Sequence, residues 1–164
     1  MRKLISYILT ILLLSTTACA NGSRGIKSSD KGELSDMKIS IQIISNSGSH
    51  KLTATLVDNS SAMAFYELLK QGPVTIKMHD YGNFEKVGPL GTTLPRNDTQ
   101  ITTTAGDIIL YQGNQITIYY DTNSWNFTRL GKVVSTSSTT TITQAELKKI
   151  LGKGNVTAVF SVME

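Results

Sequence analysis

The chain has 164 residues, 40% of them hydrophobic and 17% charged, enough to bury one core and too little for two. Its formal charge is +4, but Arg2 and Lys3 fall in a removable leader, which takes two of the 16 basic residues away against 12 acidic ones. A balance so nearly even, scattered along the chain, makes no case for a nucleic-acid-binding surface.

In chain order, Met1-Arg2-Lys3 is a short positive start and Leu4 to Leu14 an apolar run of signal-peptide length, too short to span a bilayer comfortably. Two processing routes then compete. Ala18-Cys19-Ala20 is a small-residue site for ordinary signal peptidase, with cleavage after Ala20 and a soluble periplasmic or secreted product. Ser15-Thr16-Thr17-Ala18-Cys19 instead resembles a bacterial lipobox, with Thr16 where leucine is usual. Cys19 is the only cysteine, so it has no disulfide partner in the chain. Its place at the end of the apolar run, before a polar tether, favours lipidation, and several acyl chains anchor firmly where one does not. The reading is a lipoprotein-type signal peptide over residues 1–19, a flexible Gly/Ser/charge-rich tether over 20–37 and one folded domain over 38–164. The domain is expected in the cell envelope, lipid-anchored through Cys19 and facing the periplasm or the cell surface.

Lys38 to Ile43 alternates polar and apolar residues, the pattern of a half-buried strand. After the Asn46-Ser47-Gly48 turn, Leu52, Ala54 and Leu56 repeat it, predicting a hairpin. Ala62, Phe65, Tyr66 and Leu69 share one helical face, with Asn59 or Ser60 as cap and Gly72-Pro73 as stop. Val74, Ile76 and Met78 predict another strand, with His79 on its solvated face. Asp107 to Gln112 and Gln115 to Tyr120 flank a two-residue Gly113-Asn114 turn, and Phe127 to Val134 reads as a strand. Thr143-Gln144-Ala145-Glu146 is a capping box opening a helix through Leu151, and Val156 to Val162 is the last strand. Seven or more amphipathic strands and two helices predict a mainly antiparallel sheet that must close or stack, read as a small barrel with helices plugging its ends.

Four motifs in series carry a resemblance: Asp80-Tyr81-Gly82-Asn83-Phe84-Glu85-Lys86-Val87-Gly88-Pro89-Leu90-Gly91, Leu94-Pro95-Arg96-Asn97-Asp98, Gly106 to Gln115, and Ser124-Trp125 with Thr128-Arg129-Leu130-Gly131. Together they resemble the bacterial cyclophilin-like domain family over about Lys38 to Glu164. The resemblance implies a mainly β fold, a closed cyclophilin-like β-barrel of about eight strands with two short helices. In true cyclophilins an arginine in a Phe-His-Arg segment hydrogen-bonds the proline-containing amide and weakens its resonance, beside an apolar proline pocket. The nearest likeness here is Phe84-Glu85-Lys86-Val87, with Lys86 in the arginine's place, and lysine lacks the planar two-donor fork.

Lys86 and Arg96 are thus the catalytic candidates, and no catalytic residue is assigned. The expected ligand-binding residues are Tyr81, Phe84, Glu85, Leu90, Leu94, Arg96, Tyr111, Trp125 and Arg129, around a groove at the barrel rim built from the loop Tyr81 to Asp98. Tyr119 and Tyr120 read as barrel packing. With only His50, His79 and one cysteine, no dedicated N/S metal centre is expected, and the absence of P-loop and dinucleotide spacing predicts no cofactor. The resulting expectation is an envelope binding module for a peptide segment or small molecule, leaning away from an enzyme. A peptidyl-prolyl isomerase assisting envelope protein folding is the alternative, and a partner domain for a flavodoxin-like redox protein the third reading.

Overall fold

The computed structural model describes residues 37–46, 48–134 and 142–163; the leader, Cys19 and nearly all of the tether lie outside them. The elements are β1 (Lys38–Ser45), β2 (Gly48–Leu56), α1 (Ser60–Lys70), β3 (Val74–Tyr81), β4 (Glu85–Pro89), β5 (Thr99–Thr102), β6 (Asp107–Tyr111), β7 (Gln115–Tyr119), β8 (Ser124–Val134), α2 (Gln144–Leu151) and β9 (Val156–Val162). Eight strands pair in the order β2-β1-β9-β3-β4-β7-β6-β8, and β8 returns to β2, so the antiparallel sheet closes into a barrel without free edges. This is the eight-stranded, two-helix barrel expected. β5 is a ninth strand that lies outside the ring, paired with the first residues of β8.

Alternation sets the register. Ile39, Ile41 and Ile43 of β1 and Leu52, Ala54 and Leu56 of β2 all turn into the core, and a one-residue slip would expose every one of them. At the closing seam Thr53 faces Val134 and Leu56 faces Gly131. A Cβ on Gly131 would stand 2.6 Å from the Thr55 carbonyl oxygen, so only glycine lets the two strands approach there.

Asn59 caps α1 by accepting from the Ala62 N–H at 2.7 Å. Its inner face carries Ala62, Phe65 and Leu69, with Phe65 meeting Phe160 edge-on at 5.7 Å. Thr143 caps α2 through the Glu146 N–H, and Leu147 and Leu151 enter the same core. β2 and β9 both run antiparallel to β1. Since α1 follows β2 and α2 precedes β9, the helices close opposite ends of the barrel.

Three local readings change. β4 and β5 are strands that the sequence pattern does not announce, and β8 begins at Ser124 rather than Phe127. The β6–β7 hairpin turns over three residues, 112–114, because Tyr111 pairs with Gln115 and both Gln112 and Gly113 take positive φ. The extra positive-φ residue falls on a glutamine, where composition gives no turn signal.

An aromatic groove on the outer wall of the barrel

Residues that point away from the core on five neighbouring strands build a second, smaller apolar cluster on the barrel's outside. On β7, Ile116 and Ile118 face inward, which turns Gln115, Thr117 and Tyr119 outward. On β4 the same alternation turns Glu85 and Val87 outward and Lys86 inward. The register sets Glu85 opposite both Tyr119 and Tyr81, and Val87 opposite Thr117 and His79. Tyr119 packs with Ile109 and Phe127 in a cluster separate from the barrel core, with Phe84, Ile101 and Tyr111 against it. Above it opens a groove of about 460 Å³, within the range of small-ligand sites.

Its walls are aromatic. The turn after β3 places Gly82 and Asn83 at positive φ, and the Phe84 ring occupies the space a Gly82 side chain would need, 2.2 Å from a Cβ placed there. Phe84 stacks parallel to Tyr119 at 5.9 Å and meets Tyr81 edge-on at 5.9 Å. Tyr119 lies 5.6 Å from Phe127, and Phe127 meets Tyr111 at 6.5 Å. Trp125, 61% exposed, stands at the mouth.

Among the described residues Glu85 is the one carboxylate lining this groove. It is only 6% exposed, and its Oε2 has no hydrogen-bond partner among the described residues; nor has the buried Thr117 Oγ1, diagonally opposite on β7. Burial pushes the Glu85 carboxyl above its ordinary range, and the neighbouring Tyr119 and Thr117 hydroxyls offset this only in part. The Tyr119 hydroxyl is pushed up in turn, by burial and then by Glu85. A desolvated carboxyl with a free oxygen, walled by rings, can accept a hydrogen bond or a proton from a ligand.

Of the expected binding residues, Tyr81, Phe84, Glu85, Tyr111 and Trp125 come together here. The others lie elsewhere. Leu90 belongs to the barrel core and Leu94 packs against it. Arg96 pairs with Asp98, whose Oδ1 accepts from Thr128 Oγ1 at 2.5 Å. Asn97 and Pro95 accept from Ser60 and Ser61 at the start of α1. Leu94 to Asp98 are therefore fastened to the α1 end of the barrel and line no part of the groove. Arg129 pairs with Asp107, together with Lys132.

Lys86 is fully buried on the inner side of β4. Its Nζ bonds Asp80 Oδ1 at 2.6 Å and donates to the Gly152 and Gly154 carbonyls at 3.1 and 2.6 Å. Asp80 also accepts from the Gly154 N–H and from Tyr120, whose hydroxyl is pushed up to about 12 by burial and by Asp80. Neither catalytic candidate reaches the groove. His79, read as solvated, Tyr119, read as barrel packing, and Val87 and Phe127 line it without having been expected to bind; the outward phase of Thr117 and Tyr119 against Ile116 and Ile118 is the signal that marks the face.

Among the described residues no group of His, Cys, Asp and Glu is arranged to hold a metal ion. No curated protein matches the chain significantly. The model of the Cyclophilin-like family matches residues 45–161, well over half the chain and the barrel from β2 onward, and the chain belongs to that family.

Proposed function

We propose that the protein is a membrane-anchored binding module of the bacterial envelope that takes a peptide segment or small ligand into the outer-wall groove. The observation that carries this is Glu85, buried at the groove with an oxygen left unpaired. A buried polar atom without a partner costs roughly 1–3 kcal/mol, a cost that a ligand donor removes once the Glu85 side chain turns that solvent-shielded oxygen to the groove. Exposed Tyr81 and Trp125 beside it give the amphipathic ring surface from which binding hot spots are made.

The isomerase alternative requires a donor aimed at the substrate amide. Among the described residues no lysine or arginine lines the groove, and Lys86 is committed to Asp80 and two backbone carbonyls, which favours binding over isomerisation assisted by a cationic donor.

The test is selection of random hexapeptides on the immobilised full chain. Phe84→Ala and Trp125→Ala are expected to weaken the selected peptides about tenfold or more; capture unchanged by both substitutions would overturn the groove as the site. Anchoring is supported by the leader and the sole cysteine. Cys19→Ser is expected to move the protein out of the membrane fraction, and unchanged partitioning would contradict lipidation.

A further inference from the structure

Taking the groove as the binding site, we propose that its ligand presents an organic cation, a guanidinium or ammonium group, which enters among the aromatic rings and pairs with Glu85. The charge balance of the site points this way. Among the described residues Glu85 is the only carboxylate on the lining and no lysine or arginine stands there to neutralise it; the one imidazole, His79, lies opposite Val87 rather than Glu85. The protein's own nearby cations are engaged elsewhere: Lys86 with Asp80 on the inner side of the wall, Arg129 and Lys132 with Asp107. Oε2 of Glu85 is left without a donor.

The surroundings of that carboxyl suit a cation. Ring faces carry negative charge density and attract cations held over them, and Phe84, Tyr119, Tyr111 and Trp125 line one cavity. A planar guanidinium has donors for both oxygens of a carboxylate such as Glu85 while stacking on a ring, which an ammonium does less well. A volume of about 460 Å³ accommodates such a group with flanking chain.

Trp125 is the only tryptophan and stands at the mouth, so its fluorescence reports occupancy. The full chain is titrated with acetyl-Ala-Ala-Arg-Ala-Ala-amide, with the same peptide carrying citrulline for arginine, and with butylguanidinium. The arginine peptide is expected to bind about tenfold or more tightly than its neutral isostere, and Glu85→Gln, shown to be folded by thermal unfolding, is expected to abolish the difference. Competition by butylguanidinium upholds the proposal with a free cation as sufficient occupant; competition by the peptide alone upholds it with a peptide-borne cation. Equal binding of the two peptides, a preference untouched by Glu85→Gln, or binding of neither overturns the cation. The groove itself is overturned separately, by hexapeptide capture that ignores Phe84 and Trp125.

Discussion

Replacing Lys86 with methionine is expected to cost the fold about 3 kcal/mol, at the low end of the range for breaking a buried ion pair. The ammonium uses its three donors, one on Asp80 and two on the carbonyls of Gly152 and Gly154. Methionine fills the same space but leaves those carbonyls without their donor and Asp80 without its counter-charge. Asp80 keeps 33% of its side chain exposed, so water takes up part of the loss. Burial alone would raise the Asp80 pKa. Hydrogen bonds from Lys86, Gly154 and Tyr120, with the charge of Lys86, outweigh it and hold the carboxyl below its ordinary 3.8. A depressed carboxyl contributes stability that is present above the unfolded value and is lost as pH falls through the lower folded one. The deficit of Lys86→Met should therefore be full at pH 7 and shrink below pH 4. Urea unfolding at both pH values measures it; a loss under about 0.5 kcal/mol at pH 7, the level of an ordinary surface change, would contradict the structural role.

Glu85→Gln should do the opposite, raising stability by about 1 kcal/mol at pH 7 while weakening the ligand. The gain follows from removing a charge that burial desolvates and that the Tyr119 and Thr117 hydroxyls offset only in part. The Glu85 carboxyl lies above its ordinary 4.5, so the native state holds its proton more tightly than the unfolded chain does. Stability linked to it is present below that ordinary value and declines as pH rises through the folded one. Wild-type and variant melting temperatures should thus agree near pH 4 and separate towards pH 7, the variant higher. Curves that stay parallel across that window would show that the carboxyl is not strained in the fold.

The barrel itself was legible wherever one strand face is wet. Ile39, Ile41, Ile43 against Lys38 and Gln42, and Ile76, Met78 against Thr75 and Lys77, alternate as a half-buried strand must, and the Asn59 and Thr143 caps mark both helix starts. β4 hides because both its faces are covered. Glu85 to Gly88 are all buried, with charged residues at two positions, and a buried Glu-Lys pair reads in sequence as a solvated turn. β5 hides for a different reason, being a four-residue, mostly exposed strand joined to β8 outside the ring.

The site was half legible for the same cause. Tyr81, Phe84, Glu85, Tyr111 and Trp125 are drawn together because strand phase turns them outward. Lys86, one residue from Glu85, turns inward for that reason alone, and Arg96 satisfies Asp98 within its own loop. Sequence proximity grouped these residues; the two-residue period of β4 and β7 separates them. It also parts Tyr119, on the groove, from Tyr120, in the barrel core.

Ligand is expected to enter the outer wall and not the rim. The most direct measurement is amide chemical-shift mapping of the labelled full chain, titrated with a hexapeptide from the selection. The expected result is perturbation concentrated on Phe84, Glu85, Thr117, Tyr119 and Trp125, with Leu94 to Asp98 unmoved. Perturbation centred on Arg96 and the start of α1, leaving Glu85 and Tyr119 unchanged, would contradict it.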